Sequence, residues 1–516
     1  MGTAFVNGRS PVSVAGFRAG CVVLSALLYA ALLPLRAGAL LSFFALVPLL
    51  VACAGTSPLR ALALGAAFGA LGTFGVAWWF PGMSERYFGA SPAVAWLGLV
   101  ALGLLDALPC ALFAGWVALA AHRGRATPLR VGAAWALAEL ARSYGPVPNP
   151  YALLGYAQHG TAFAQAADVA GPWGVGALVA AANAALAAQL APALAGNRPR
   201  RALAVGAALL LLAFGYGELR LAQHFGDGEP LHVALVQGAV ARGAQWDRAT
   251  RDANLAHYLA LHAQATRAPV ELVFWPEYAV DFYLSEETLE RARLLDGVRA
   301  GGADVVLGGS RYEFAGDRTR YFNSVFAIDG DGRLRLRSYD KQRLVPFAEY
   351  APLGDWLRSD SAMYAPGKGP RVLETRRARI GAFVCAEALH PEIARELSRA
   401  GAELLANPAN DYWFGAREPQ AEQLVSASFR AIENRRYLVR ATSTGISAVI
   451  DPQGRVVAQS EGAGPEIVTA SVERAHAVTP YQRAGDAGVA VLCAFAAGLG
   501  FAGRRQHSRG DSGGPT

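Results

Sequence analysis

Lysine is almost missing from this chain. Of its 47 basic residues, only Lys341 and Lys368 are lysine. The skew reads as arginine replacing lysine wherever the physics permits. A retained lysine therefore draws notice, because an ammonium and a guanidinium differ in shape and titration. Charge of either sign is also scarce. Only 17% of the 516 residues are charged, and 53% are hydrophobic, against about 25% charged in an ordinary soluble chain. That shortage excludes a surface bathed everywhere in water. The net charge of +7 does not argue for nucleic acid, because the arginines near the apolar segments stand where membrane topology would put them. Cysteine is sparse as well: Cys21, Cys53, Cys110, Cys385 and Cys493, with no C-x-x-C pair. This argues against a metal knuckle or a disulfide framework. Cys385 alone lies outside an apolar run.

What the chain has instead is long apolar segments, at about 14–33, 38–55, 61–80, 92–121, 130–143, 172–195, 201–217 and 487–503. A membrane-crossing helix needs about 20 apolar residues, and most of the eight qualify. The segment 130–143 is short and carries Glu139 and Arg142. The first segment lacks a basic flank and a small-residue cleavage site, so it reads as a retained helix. With the N-terminus inside, the cytoplasmic loops hold Arg60, then Arg123, Arg125 and Arg130, then Arg198, Arg200 and Arg201. The outer loops hold Arg36, Arg86 and Arg142. By the positive-inside bias, eight crossings put both ends in the cytoplasm and the long segment after the seventh crossing outside. Asp106 and Glu139 are either functional acids or makers of helix-to-helix hydrogen bonds.

From about residue 218 the pattern changes. Short β-branched runs appear at 231–236, 270–275, 303–308, 323–328, 333–337, 379–385, 402–406 and 437–450. Helical patterns at 246–266, 285–300, 391–400 and 417–435 separate several of them. Strands alternating with helices predict a layered α/β domain, and about 265 residues are enough to bury a full core. The tail after the last apolar segment is polar and reads as disordered.

Three residues in this part could do chemistry. Cys385 ends a strand run just before the helix signal His390-Pro391, where a nucleophile is exposed and close to backbone N–H donors. The other reading is a small buried hydrophobe. Glu277 follows Trp275-Pro276 at the C-terminal rim of a strand, where α/β folds build sites. A carboxylate in such an aromatic setting can act as a base, or it is a solvated loop acid. Lys341 lies within the run Tyr339 to Tyr350. Its compact ammonium can donate to an oxyanion where the fork of Arg would not fit, or its survival is chance.

The order Glu277, Lys341, Cys385, each near a strand end, is more specific than any one member. With it, the chain resembles the nitrilase superfamily. With the apolar segments it resembles that superfamily's membrane-bound branch, the apolipoprotein N-acyltransferases. The resemblance rests on Trp135 to Arg142, Pro150-Tyr151, Leu154-Gly155-Tyr156, Val236-Gln237-Gly238, Trp275-Pro276-Glu277, Tyr321 to Ser324, Lys341 to Tyr350 and Val384 to Glu387. It implies an αββα sandwich beside a bundle of about eight transmembrane helices, seven of them in 1–217, a catalytic domain at 218–485, and the eighth helix with a tail at 486–516. It implies Glu277 as general base, Lys341 as oxyanion donor and Cys385 as nucleophile. Glu349, Glu387 and Asn323 would support them, and Trp246, Trp356 and Trp413 would meet substrate. The implied reaction carries an acyl chain from the sn-1 ester of a phospholipid, phosphatidylethanolamine in the family, through a Cys thioester to the N-terminal amine of a diacylated apolipoprotein. The implied place is the bacterial inner membrane with the domain on the periplasmic face. No metal or organic cofactor is implied. A membrane-anchored amidase acting on small amides would use the same three residues. Two positions depart from the family: Ala386 stands where an aromatic is usual, and Ala239 where Asn is frequent. The segments 353–366 and 412–414, with their aromatic residues, read either as arms dipping into the bilayer or as packing on the domain's own core.

Overall fold

A computed structural model describes residues 11–498 except 33–37, 146, 241–247, 287, 317, 336, 347, 351–363 and 463. The first part is helical: α1 (Pro11–Ala30), α2 (Gly38–Ala45), α3 (Val47–Cys53), α4 (Pro58–Val76), α5 (Phe80–Phe88), α6 (Pro92–Ala121), α7 (Pro128–Ser143), α8 (Ala167–Leu190) and α9 (Pro199–Leu221). Proline opens α4, α5, α6, α7 and α9 in the first turn, where its missing N–H costs nothing. Among the described residues, every apolar segment of the sequence falls mainly on helix. Among the described residues, four helical stretches are long and apolar enough to cross a membrane: Pro58–Val76, Pro92–Ala121, Ala162–Leu190 and Pro199–Leu221. The segment 38–55 is broken between α2 and α3, and α7 carries its two charges. Asp106 on α6 accepts from Thr73 on α4 at 2.8 Å and from Asn149 at 2.7 Å. Glu139 accepts from the Leu154 amide at 2.7 Å. Both acids thus tie helices and a loop together.

The second part is layered. It comprises β1 (Gly226–Gln237), α10 (Arg248–Ala265), β2 (Leu272–Phe274), α11 (Leu289–Gly301), β3 (Asp304–Ala315), β4 (Arg318–Ile328), β5 (Tyr339–Asp340), β6 (Leu373–Glu374), β7 (Arg379–Ala382), α12 (Pro391–Arg399), β8 (Leu404–Ala409), α13 (Arg417–Asn434), β9 (Leu438–Thr442), β10 (Ala448–Ile450), β11 (Val456–Gln459) and β12 (Glu466–Ala475). A further helix, α14 (Pro480–Gly498), packs on α7 and α8. One six-stranded sheet runs β12-β1-β2-β3-β4-β5 and the other β11-β10-β9-β8-β7-β6. Strands β1, β2 and β3 are parallel in the first, and β7, β8 and β9 in the second. Alternation along β1 explains the layering. Leu231, Val233 and Leu235 face the second sheet's Ile380, Ala382 and Leu404, while Ala234 and Val236 face Leu255 and Tyr258 of α10. The result is helices on sheet on sheet on helices.

Two strand expectations change. The run 437–450 is two strands, because Gly445 turns the chain at φ +110°. The run 333–337 contains no strand among its described residues. Leu334 makes one bridge to Ile328, and the Arg335 side chain turns back to Asp329 at 2.9 Å.

Candidate active site

The parallel strands β2 and β7 both stop at the same rim. Glu277 follows β2 after Trp275-Pro276, and Cys385 follows β7. Proline at 276 has no N–H to extend the ladder, so the chain leaves the sheet there. Gly308 lets it pass: a Cβ at that position would lie 2.6 Å from the Glu277 Cα. Cys385 adopts φ +51°, a left-handed conformation that non-glycine residues enter seldom and that clusters at functional turns. It opens a short 3-10 turn, Cys385–Leu389.

A shared network joins the acids to the lysine. Asn323, on β4, donates its amide nitrogen to Glu277 at 2.7 Å and to Glu349 at 3.1 Å. The Lys341 ammonium donates to Glu349 at 2.9 Å and lies 3.6 Å from Glu277. The second oxygen of Glu349 accepts the Val345 amide at 2.8 Å. All four side chains are buried, at 4% exposure or less. Burial alone would lower the Lys341 pKa, but Glu349 and Glu277 outweigh it and hold the ammonium well above its ordinary range. Burial and the nearby Glu277 push the Cys385 thiol up, while Lys341 and the Asn410 backbone N–H pull it down. The net direction is up, which favours the neutral thiol, and a nucleophilic Cys385 would need a proton acceptor.

Glu387 works differently. It is fully buried and accepts from the amides of Gln342 (2.7 Å), Arg343 (3.0 Å) and Val384 (2.6 Å), and from the Tyr339 hydroxyl at 2.9 Å. Burial carries it up to about 7 against those donors. It therefore braces the Lys341 loop against the Cys385 turn. Behind the turn, Asn407 donates to the carbonyls of Phe383 (2.8 Å) and Cys385 (3.2 Å). Asn407 in turn accepts from one terminal nitrogen of Arg440, whose other terminal nitrogen donates to both carboxylate oxygens of Asp411 at 2.9 Å.

Glu277, Asn323, Lys341, Glu349, Cys385 and Glu387 thus come together. Trp246 and Trp356 lie outside the described residues, as does most of the proposed arm at 353–366. Trp413 is half-buried. Its ring meets Tyr87 of α5 edge-on at 4.2 Å. Sequence reading did not assign Tyr87, Asn407, Asn410 or Arg440; the polar run Asn407 to Asp411 after a strand was the available signal for two of them. Among the described residues no group of three or more His, Cys, Asp or Glu is arranged to hold a metal ion.

Comparison with known proteins gives concordant matches. A family model for carbon-nitrogen hydrolases matches residues 232–479, and one for the apolipoprotein N-acyltransferase N-terminal domain matches residues 24–185. An apolipoprotein N-acyltransferase of Geobacter metallireducens is 33% identical over 92% of this chain and 94% of its own length. One from Pseudomonas putida is 33% identical over 86% of this chain and 88% of its own. Among solved structures, an amidase from Nesterenkonia sp. is 20% identical over 49% of this chain and 95% of its own, with a TM-score of 0.38.

Proposed function

The chain belongs to the apolipoprotein N-acyltransferase family, and from that premise we propose that it acylates the N-terminal amine of lipoproteins through a thioester on Cys385. The observation that carries this reading is the buried set Glu277, Asn323, Lys341 and Glu349 beside a cysteine held at φ +51°.

Glu277 takes the thiol proton as the sulfur attacks the sn-1 ester of a phospholipid, phosphatidylethanolamine in this reading. The C–O bond breaks, the departing alkoxide takes the proton back from Glu277, and a lysophospholipid leaves. The α-amine of the diacylglyceryl-cysteine then attacks the thioester. The new C–N bond replaces C–S, and Glu277 passes the amine proton to the thiolate. In both halves the Lys341 ammonium faces the oxyanion, a preorganised donor of the kind worth about 3–4 kcal/mol. Glu349 and Asn323 fix its direction, Glu387 fixes the turn, and Trp246, Trp356 and Trp413 meet substrate.

Such a site needs a lipid surface. We assign 1–217 to a membrane domain with seven crossings, 218–485 to the catalytic domain, and 486–516 to an eighth crossing and tail. The four long apolar helices support this reading. So does the arginine distribution, which by the positive-inside bias favours the catalytic domain on the periplasmic face of the inner membrane and both termini in the cytoplasm. A membrane-anchored amidase would use the same residues, but relatives aligned over the helical part as well favour acyl transfer.

The test is chemical. Purified full-length protein incubated with labelled phospholipid is expected to carry a hydroxylamine-sensitive acyl adduct that Cys385→Ala abolishes. An adduct that persists in Cys385→Ala refutes the assignment.

A further inference from the structure

A thioester meets two nucleophiles, and only one gives product. The amine forms an amide. Water instead bonds to the acyl carbon as C–S breaks, Glu277 moves the proton to sulfur, and a free fatty acid leaves. Which wins depends on how dry the thioester is kept. Among the described residues, side chains from outside the catalytic domain border the segment beside this site.

The cover comes from the helical part. Helix α5 is nine residues long and lies between two of the long apolar helices. Trp79, at its N-terminal cap, packs on Tyr151 and on Phe414, each at 5.4 Å between ring centroids. Tyr87, near its end, meets Trp413 at 4.2 Å. Between them Arg86 donates to the Phe414 carbonyl at 2.7 Å. The fit is close. Gly415 has φ +62°, and a Cβ there would lie 2.2 Å from the Arg86 guanidinium. On the other side, the Tyr151 hydroxyl donates to the Pro419 carbonyl at 3.1 Å.

The segment so held, 410–416, directly follows β8, whose Asn407 donates to the Cys385 carbonyl at 3.2 Å, and the Asn410 N–H is among the groups that lower the Cys385 thiol. The held segment is therefore a wall of the thiol site, and the aromatic side chains of α5 are its roof.

We propose that α5, latched to the 410–416 segment by Arg86, is a roof that keeps water from the Cys385 thioester and so sets the partition between acyl transfer and hydrolysis. Arg86 is a positioning residue in this proposal and touches no reacting atom. The proposal rests on the thioester reading above.

The experiment uses full-length protein in phospholipid vesicles with labelled acyl chains. It reads the lifetime of the acyl adduct without acceptor, and the ratio of amide to free fatty acid with a diacylated lipopeptide. Arg86→Ala is expected to acylate but to release fatty acid at least about tenfold faster, a change of about 1.4 kcal/mol in barrier. Arg86→Lys, which keeps a donor, restores part of the lifetime. An Arg86→Ala protein with native lifetime and native product ratio overturns the proposal. Should Arg86→Ala fail to acylate, Tyr151→Phe decides. It removes only the hydroxyl bond to Pro419, and an unchanged lifetime there overturns the roof equally. A native protein that forms no adduct removes the thioester reading itself, and the proposal with it.

Discussion

The Lys341 ammonium donates to the Glu349 carboxylate at 2.9 Å, and both side chains are almost wholly buried. Glu349 thereby holds Lys341 within reach of Glu277, 3.6 Å away, instead of in tight contact with it. A base locked onto the ammonium would be a poor acceptor for the thiol proton. The longer distance keeps Glu277 from being locked onto the ammonium, as a base for Cys385 requires.

Lys341→Met follows from this geometry. The variant keeps the volume and loses the oxyanion donor, so kcat is expected to fall by about 10²–10³ with little change in KM. Lys341→Arg should not restore it, because the planar fork does not fit between two carboxylates spaced for one nitrogen. Steady-state turnover on vesicle-borne substrate checks both. An active Arg variant would mean that charge alone suffices.

The three residues of the candidate site were legible because each stands where a strand ends and a local signal marks the end: Pro276 before Glu277, and His390-Pro391 after Cys385. Lys341 stood out by being one of two lysines. The layered fold was legible from β-branched runs alternating with helical patterns. Strand β12 was not. Only three of its ten residues are buried and three are charged, so its pattern resembles a loop. The roof was not legible at all. Arg86 and Phe414 are 328 residues apart, and nothing in either local pattern states that helix α5 docks over the second sheet. The sequence pattern of α5 offers only a short aromatic helix, which a membrane interface would also favour.

The two parts of the chain are joined by a buried ion cluster. Asp168 of α8 accepts from Arg435 at 2.7 Å, from Arg220 at 2.6 Å and from the Tyr216 hydroxyl at 2.7 Å. Asp168 and Arg435 are both fully buried. Asp168→Asn leaves buried guanidinium charge without its counter-ion, a loss of about 3–5 kcal/mol in comparable pairs. The expected result is a lower thermal midpoint in detergent and faster protease cleavage near 218–226. An unchanged midpoint would show that the cluster does not hold the parts together.

Glu422 gives a dependence on pH. Its carboxyl accepts the Ala152 amide across the junction, and burial raises it from 4.5 to about 8. Between those values the folded protein keeps a proton that the unfolded chain has released. Its contribution is therefore fully present below about 4.5 and is lost as pH rises through about 8. The thermal midpoint should fall across that window. Glu422→Gln is neutral in both states and still offers an oxygen to Ala152, so its midpoint should fall less. Equal slopes for the two proteins would reject Glu422 as a contributor.

Ala239 stands where the family frequently has Asn, and the backbone supplies a reason. Its φ is +51°, a conformation that costs a residue with a Cβ roughly 1–2 kcal/mol. The chain cannot relax out of it cheaply, because the Ala239 amide donates to the Ser443 carbonyl at 2.7 Å and so ties the end of β1 to the segment after β9. Asn enters this region more readily than Ala. Ala239→Asn should therefore raise the thermal midpoint, with a gain on the order of 1 kcal/mol taken from the strain. Ala239→Gly relieves the same strain but frees the unfolded chain, so its gain should be smaller. Differential scanning of the three proteins gives the ordering Asn above Gly above Ala. The reverse ordering, with Ala the most stable, would show that the left-handed turn at 239 is not strained.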